Sequence, residues 1–188
     1  MKKYKLTTET LQFAGRTLHR IKAVKDFDFI KAGEFGGWIE NEKNLSQDDN
    51  AWIYGNAMVF DNAKVYGNAK VSDYANVSDY AKVYGNAEVY GNANISYYAK
   101  VYGNAVIKGD AIVHDAVDYI VFKNFWSSGR YFTWTSSNNK WSVGCFYGTS
   151  EELIKKAYAD SEKSGREYER VVRYVESILA DEKKEKSN

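Results

Sequence analysis

Alternation between inward and outward positions dominates the middle of the chain. From residue 51 to residue 116, eleven six-residue units follow one another: AWIYGN, AMVFDN, AKVYGN, AKVSDY, ANVSDY, AKVYGN, AEVYGN, ANISYY, AKVYGN, AVIKGD and AIVHDA. Every unit opens with Ala. The third place is always β-branched: Ile53, Val59, Val65, Val71, Val77, Val83, Val89, Ile95, Val101, Ile107 and Val113. Side chains of an extended segment alternate between two faces, so Ala and Val or Ile share the inner face while the residue between them points out. The Gly-Asn, Asp-Asn or Asp-Tyr pair that follows tolerates tight turning. Each unit thus predicts a short strand and a corner.

One strand and one corner cannot bury an apolar face alone, and repetition at a fixed period predicts a solenoid. Six residues are too few for a hairpin and its return, so the economical closure is three strands per coil. The string AKVYGN recurs identically at 63, 81 and 99, eighteen residues apart. Stacked coils at roughly 4.8 Å would place Lys64, Lys82 and Lys100 in one outward column and Tyr66, Tyr84 and Tyr102 in another. Asn68, Asn86 and Asn104 would form a corner ladder.

These units resemble the hexapeptide-repeat left-handed parallel β-helix family, in which an aliphatic residue is followed four places later by a small one, as in Val65 with Ala69 or Val83 with Ala87. The resemblance implies left-handed winding and, by family habit, a homotrimer. One departure is the frequent Tyr after the aliphatic residue, at 54, 66, 84, 90 and 102. The exterior is unusually aromatic, which would hinder the family's usual subunit packing.

The flanks read differently. Residues 1–44 predict a β-rich cap, with alternation at Tyr4 and Leu6 and again over Leu18 to Ala23. The stretch KAGEFGGWIE, with Gly33, Gly36 and Gly37, reads as a bend leading Trp38 and Ile39 into the first coil. It lacks the Gly-Lys-Ser/Thr or G-x-G-x-x-G spacing of a phosphate loop. In residues 45–50 the hexad degenerates, with Gln47 where a β-branched residue belongs. After residue 116, Tyr119 to Phe125, Arg130 to Thr135 and Lys140 to Phe146 predict a three-stranded antiparallel meander. Thr149 with Glu152 forms a capping box that opens a helix, Ser164-Gly165 breaks it, and a second helix carries Tyr168, Val171, Val172, Val175, Ile178 and Leu179 on one face. The charged tail DEKKEKSN is expected to fray. The fold class is therefore mainly β: a short parallel β-helix of about four triangular coils at 45–116, between an N-terminal cap at 1–44 and a C-terminal α+β module at 117–188.

Charge and chemistry narrow the functional classes. The 188 residues hold 26 Lys and Arg against 25 Asp and Glu, a net charge of +1 that gives no general case for nucleic acid or membranes. No segment has the length and apolarity of a membrane span, and a cytoplasmic location is expected. Cys145, the single cysteine, reads as a small buried hydrophobe and excludes an intrachain disulfide or a multi-cysteine zinc site. Asp61, Asp73, Asp79, Asp110 and Asp115 fall at corners, where Asp holds turns through its own backbone, and their spread speaks against calcium. No metal or cofactor is expected.

The family resemblance implies one catalytic alternative, an acyltransferase using a histidine as general base. Only His19 and His114 are present, and His114, beside Asp115, is the candidate. The repeats contain no loop insertion to wall a coenzyme tunnel, and two histidines are too few for the carbonic anhydrases of this fold. The lysine column reads either as a solvated face or as a docking strip flanked by stacking tyrosines. The aromatic meander offers Arg130, Tyr131 and Trp134 as anchors for a partner. The leading expectation is a non-enzymatic binding protein whose partner is a host protein or complex, with nucleic acid less favoured. Sequestration of a small anionic ligand between subunits is a third possibility. The order of modules along the chain also resembles uncharacterised bacteriophage and prophage proteins, which implies inhibition of a host enzyme or defence complex.

Overall fold

The computed structural model describes residues 2–124, 126 and 129–185. Phe125, expected at the end of a strand, and the last three residues of the charged tail lie outside the described residues. The chain opens with an antiparallel hairpin of β1 (Tyr4–Phe13) and β2 (Arg16–Ala23). Its two turn residues, Ala14 and Gly15, have φ of 50° and 77°, the mirror-image geometry that suits the right-handed twist of paired strands. β3 (Phe35–Ile39) pairs antiparallel with β2 and parallel with the solenoid strand at Met58–Val59. Gly36 and Gly37 therefore sit in a strand, not in a bend. A Cβ on Gly36 would meet Ile53 O at 2.6 Å and one on Gly37 would meet Ala57 O at 2.5 Å, so glycine here lets the cap approach the first coil.

Each hexad supplies one two-residue strand. These are β4 to β14, at Trp52–Ile53, Met58–Val59, Lys64–Val65, Lys70–Val71, Asn76–Val77, Lys82–Val83, Glu88–Val89, Asn94–Ile95, Lys100–Val101, Val106–Ile107 and Ile112–Val113. They stack into three parallel faces, in the orders β4-β7-β10-β13, β3-β5-β8-β11-β14 and β6-β9-β12. Partners are eighteen residues apart throughout the hexads, as in Lys64 with Lys82 and Lys82 with Lys100. The unit-opening alanines and third-place aliphatics are at most 1% exposed. Burying each Val or Ile stabilises the coil by about 1.5–3 kcal/mol, and Ala keeps the cross-section narrow. Ile39 stacks on Val59, so the inward column reaches back ahead of residue 45.

The ends of the stack would leave backbone groups unpaired, and side chains take the place of the missing coils. At the first coil the Lys3 ammonium donates to Asp49 O and Ala51 O, both at 2.8 Å. The Tyr4 hydroxyl donates to Leu45 O at 2.8 Å, and the Asn44 amide donates to Ala63 O at 2.9 Å. Gln47, the residue that broke the hexad pattern, accepts from the backbone N–H of Lys3 at 2.7 Å and so docks β1. At the last coil Thr133 Oγ1 accepts from Val106 N at 3.0 Å, Ser137 Oγ from Ile112 N at 2.8 Å, and the Tyr119 hydroxyl donates to Lys100 O at 2.8 Å.

The C-terminal module has four antiparallel strands where the sequence predicts three: β15 (Tyr119–Lys123), β16 (Tyr131–Thr135), β17 (Lys140–Val143) and β18 (Phe146–Gly148). Gly144, at φ 55°, turns the chain within the aromatic run and splits it into β17 and β18. That turn leaves Cys145 exposed, contrary to the buried role expected for it. The Thr149–Glu152 capping box opens α1 (Ser150–Asp160), and α2 (Glu162–Glu185) follows after Ser161. The helix break therefore comes before Ser164-Gly165. Gly165 lies inside α2, and its missing Cβ makes room for the Tyr158 ring, which such an atom would meet at 2.2 Å. Phe132, Trp134, Trp141, Leu153, Val172 and Val175 form the centre of this second core.

Candidate functional site

The face built on β6, β9 and β12 brings together most of the residues singled out from the sequence. Lys64, Lys82 and Lys100 stand in register as one exposed column. On one side Tyr66, Tyr84 and Tyr102 form a parallel stack, with ring centroids 4.9 and 5.2 Å apart and planes inclined by 3° and 10°. On the other side Tyr80 and Tyr98 stack at 5.2 Å and 9°. This second ladder lies outside the AKVYGN recurrence that predicts the first. It is legible in the sequence only once Tyr80 and Tyr98 are seen to close the units that precede Lys82 and Lys100.

A groove of about 710 Å³ runs along the column, lined by Lys43, Lys64, Lys82 and Lys100, by Tyr80 and Tyr98, and by Asp115 at its end. Among the described residues, Lys64, Lys82 and Lys100 take part in no ion pair; the Lys43 ammonium donates to Asn62 Oδ1 at 3.3 Å. The neighbouring face is built differently. There Lys70 stands directly beside Glu88, opposite charges in register.

Corner geometry holds both tyrosine ladders in place. The asparagine ladder runs from Asn50 through Asn68 and Asn86 to Asn104, with amide contacts of 3.2, 3.0 and 3.4 Å. The corner aspartates do not mainly tie their own turns. Asp49 Oδ2 accepts from Gly67 N at 2.6 Å, Asp73 Oδ2 from Gly91 N at 2.9 Å and Asp79 Oδ2 from Tyr97 N at 2.9 Å, each one coil further on. These bonds tie each corner to the one stacked eighteen residues further along. Asp61, Asp73 and Asp79 have φ between 56° and 59°, and Tyr97 has φ 55°. Left-handed backbone suits Asp or Asn but is unusual for an aromatic residue.

Other candidates do not assemble as expected. The Asp115 carboxylate accepts from Ala116 N and caps a short 3-10 turn at Ala116–Asp118, and no hydrogen bond joins it to the His114 imidazole. His114 is exposed, its ring edge-on to Tyr97 at 4.7 Å. Trp134 is only 4% exposed and its indole N–H donates to Asn139 Oδ1, so it belongs to the module's core and is not an outward anchor. Alternation along β16 fails as a guide because both faces are covered, one by helices and one by the solenoid's last coil. Arg130 is exposed, and Tyr131 is half-buried beneath the Lys123 ammonium. No group of three or more His, Cys, Asp or Glu among the described residues is placed to hold a metal, and no described helix is long and apolar enough to cross a membrane.

Three parallel faces, an inward Ala and Val or Ile stack and an eighteen-residue register make this chain a β-solenoid repeat protein. A family model described as the YdcK β-solenoid repeat matches residues 51–67 and 99–115. The chain is also similar to the uncharacterized acetyltransferase YdcK of Escherichia coli (strain K12), 39% identical over 62 residues. That match takes in 29% of this chain and 19% of the relative, so the chain spans about a fifth of that protein's length.

Proposed function

We propose that this chain is a non-catalytic, rigid binding protein that presents the lysine column and its flanking tyrosine ladders to a macromolecular partner. The observation that carries this reading is the unneutralised column itself. Adjacent ammonium groups at coil spacing repel by about 1 kcal/mol even in water, and the Lys70–Glu88 register shows that the scaffold accommodates the relieving arrangement one face away. A scaffold cross-linked by hydrogen bonds in every coil orders few groups on binding, which lowers the entropic cost of association. The partner is a protein rather than a generic polyanion, consistent with the chain's neutral overall charge. Inhibition of a host enzyme or defence complex is the use that the resemblance to phage proteins adds.

Acyl transfer, the activity in the name of the Escherichia coli relative, is the competing reading. Its similarity to this chain covers 62 residues, a length that carries scaffold more readily than chemistry, because fold alone does not specify reaction. The exposed His114, with Asp115 engaged elsewhere, lacks the orienting contact a general base needs. Affinity capture separates the two readings. Wild-type protein is expected to retain a macromolecule that the Lys64→Glu, Lys82→Glu, Lys100→Glu variant loses, with both folded by circular dichroism. Identical retention by both proteins, or acyl-coenzyme A binding that vanishes in His114→Ala, would overturn the proposal.

A further inference from the structure

We infer that the partner engages this face through an extended acidic segment of protein, with its carboxylates over the lysine column, and not through stacked nucleobases. The inference rests on the binding-face reading above and adds the chemistry of the occupant. The tyrosine ladders decide it. A flat base inserted between two rings needs them about 7 Å apart, twice the usual carbon-to-carbon contact distance. The rings here are 4.9–5.2 Å apart. The backbone bonds beneath, Tyr66 N to Val83 O at 3.1 Å and Tyr84 N to Val101 O at 3.0 Å, hold the coils at this spacing, so admitting a base would require adjacent rings to swing apart and give up their stacking. Within each ladder the ring faces are turned on one another.

What the ladders turn outward is their ring edges, the electropositive rim of the aromatic quadrupole, together with phenolic hydroxyls that donate hydrogen bonds. Tyr80 and Tyr98 are 54% and 72% exposed. The left-handed Tyr97, at φ 55°, forms the corner that holds Tyr98 beside Tyr80. Three adjoining rows, hydroxyl and ring edge, ammonium, hydroxyl and ring edge, all favour an anionic acceptor. Lys43 extends the cationic row at one end of the groove, and Asp115 is the carboxylate at the other.

Length agrees with a short peptide. From Lys64 to Lys100 the column spans two coil spacings, roughly 10 Å, which three extended residues cover at about 3.3 Å each. Carboxylates two residues apart lie on the same side of such a strand, within the reach of flexible lysines on a column of this length. The ammonium is a mobile point charge that does not demand a fixed bidentate geometry.

The test uses two fluorescein-labelled probes of equal charge in fluorescence anisotropy at one salt concentration. One is a synthetic peptide with Glu at alternate positions and the other is a single-stranded oligothymidylate. The peptide is expected to bind more tightly, to weaken about tenfold or more with Lys82→Gln, and to weaken several-fold with Tyr80→Phe plus Tyr98→Phe, which removes hydroxyls and keeps rings. These substitutions are on exposed side chains, and circular dichroism checks that each variant folds. Tighter binding of oligothymidylate through the same lysines would remove the acidic-segment inference and leave the binding face intact. Peptide binding indifferent to Lys82→Gln and to Lys64→Gln with Lys100→Gln, or no binding of either probe, would remove both.

Discussion

Replacing Asp79 separates two contributions to corner stability. This residue sits at φ 56°, and its carboxylate accepts from Tyr97 N at 2.9 Å in the next coil. Asp79→Ala loses that bond, which involves a charged acceptor and is worth about 1.5 kcal/mol. It also puts a side chain without local polar compensation into left-handed backbone, costing about 1 kcal/mol more. The expected loss is therefore about 2.5 kcal/mol. Asp79→Gly loses the bond but relieves the backbone, for a loss of about 1.5 kcal/mol plus the small entropic cost of glycine. Asp79→Asn keeps an acceptor oxygen and the left-handed tolerance, and should cost under about 1 kcal/mol. Urea titrations read the three values directly, and for a chain of this size each kcal/mol moves the melting temperature by about 2–4 °C. The order Asn, Gly, Ala from most to least stable is required. A glycine variant as stable as the asparagine one would show that the inter-coil bond contributes nothing, and equal Ala and Gly would remove the backbone term.

Charge reversal on the ladder should separate stability from function: Lys82→Glu turns two repulsive neighbours into attractive ones and should raise the melting temperature by a degree or two at low salt, an effect that fades as salt screens it, while abolishing capture of the acidic peptide. An unchanged or lower melting temperature at low salt would argue that the column carries no repulsion. Burial pushes the Lys3 ammonium down to about 8, below its usual range. Between pH 8 and about 10.5 the unfolded chain holds a proton that the folded one has released, so stability rises with pH across that window; urea midpoints in Lys3→Met should lack this rise. Burial acts in the opposite sense on Tyr119, raising its phenol to about 12, so above pH 10 the unfolded chain ionises first and stability falls; Tyr119→Phe should flatten that descent. Gly165→Ala should cost about 1–3 kcal/mol by overpacking against the Tyr158 ring, and thermal melts of the variant combined with Tyr158→Ala should show a smaller penalty.

The solenoid was legible because its two governing periods are printed in the chain. Position within the hexad decides inside from outside, and the recurrence of AKVYGN decides which residues share a column. The ladder of Lys64, Lys82 and Lys100 follows from register alone. The second tyrosine wall did not stand out because Tyr80 and Tyr98 occupy corner positions, where Asn62 stands one coil earlier and Ala116 one coil later. Their stacking depends on corner φ values that residue type does not announce, least of all at Tyr97. Trp134 is buried, not an outward anchor, because period two identifies an outward face only when one face of a sheet is wet. Cys145 and the fourth C-terminal strand depend on a single turn at Gly144. Gly165 reads in sequence as a helix breaker, although its role comes from a tertiary neighbour, Tyr158, that no local pattern names.

Because both terminal edges are closed by side chains that meet only the outermost coils, the interior coils are interchangeable. An in-frame duplication of residues 81–98 would insert a complete layer, leave Lys3, Gln47, Thr133 and Ser137 with their present partners, and add one cation to the row. The protein can thus be lengthened like a ruler, and its row of lysines can grow by copying genetic text rather than by inventing a new surface.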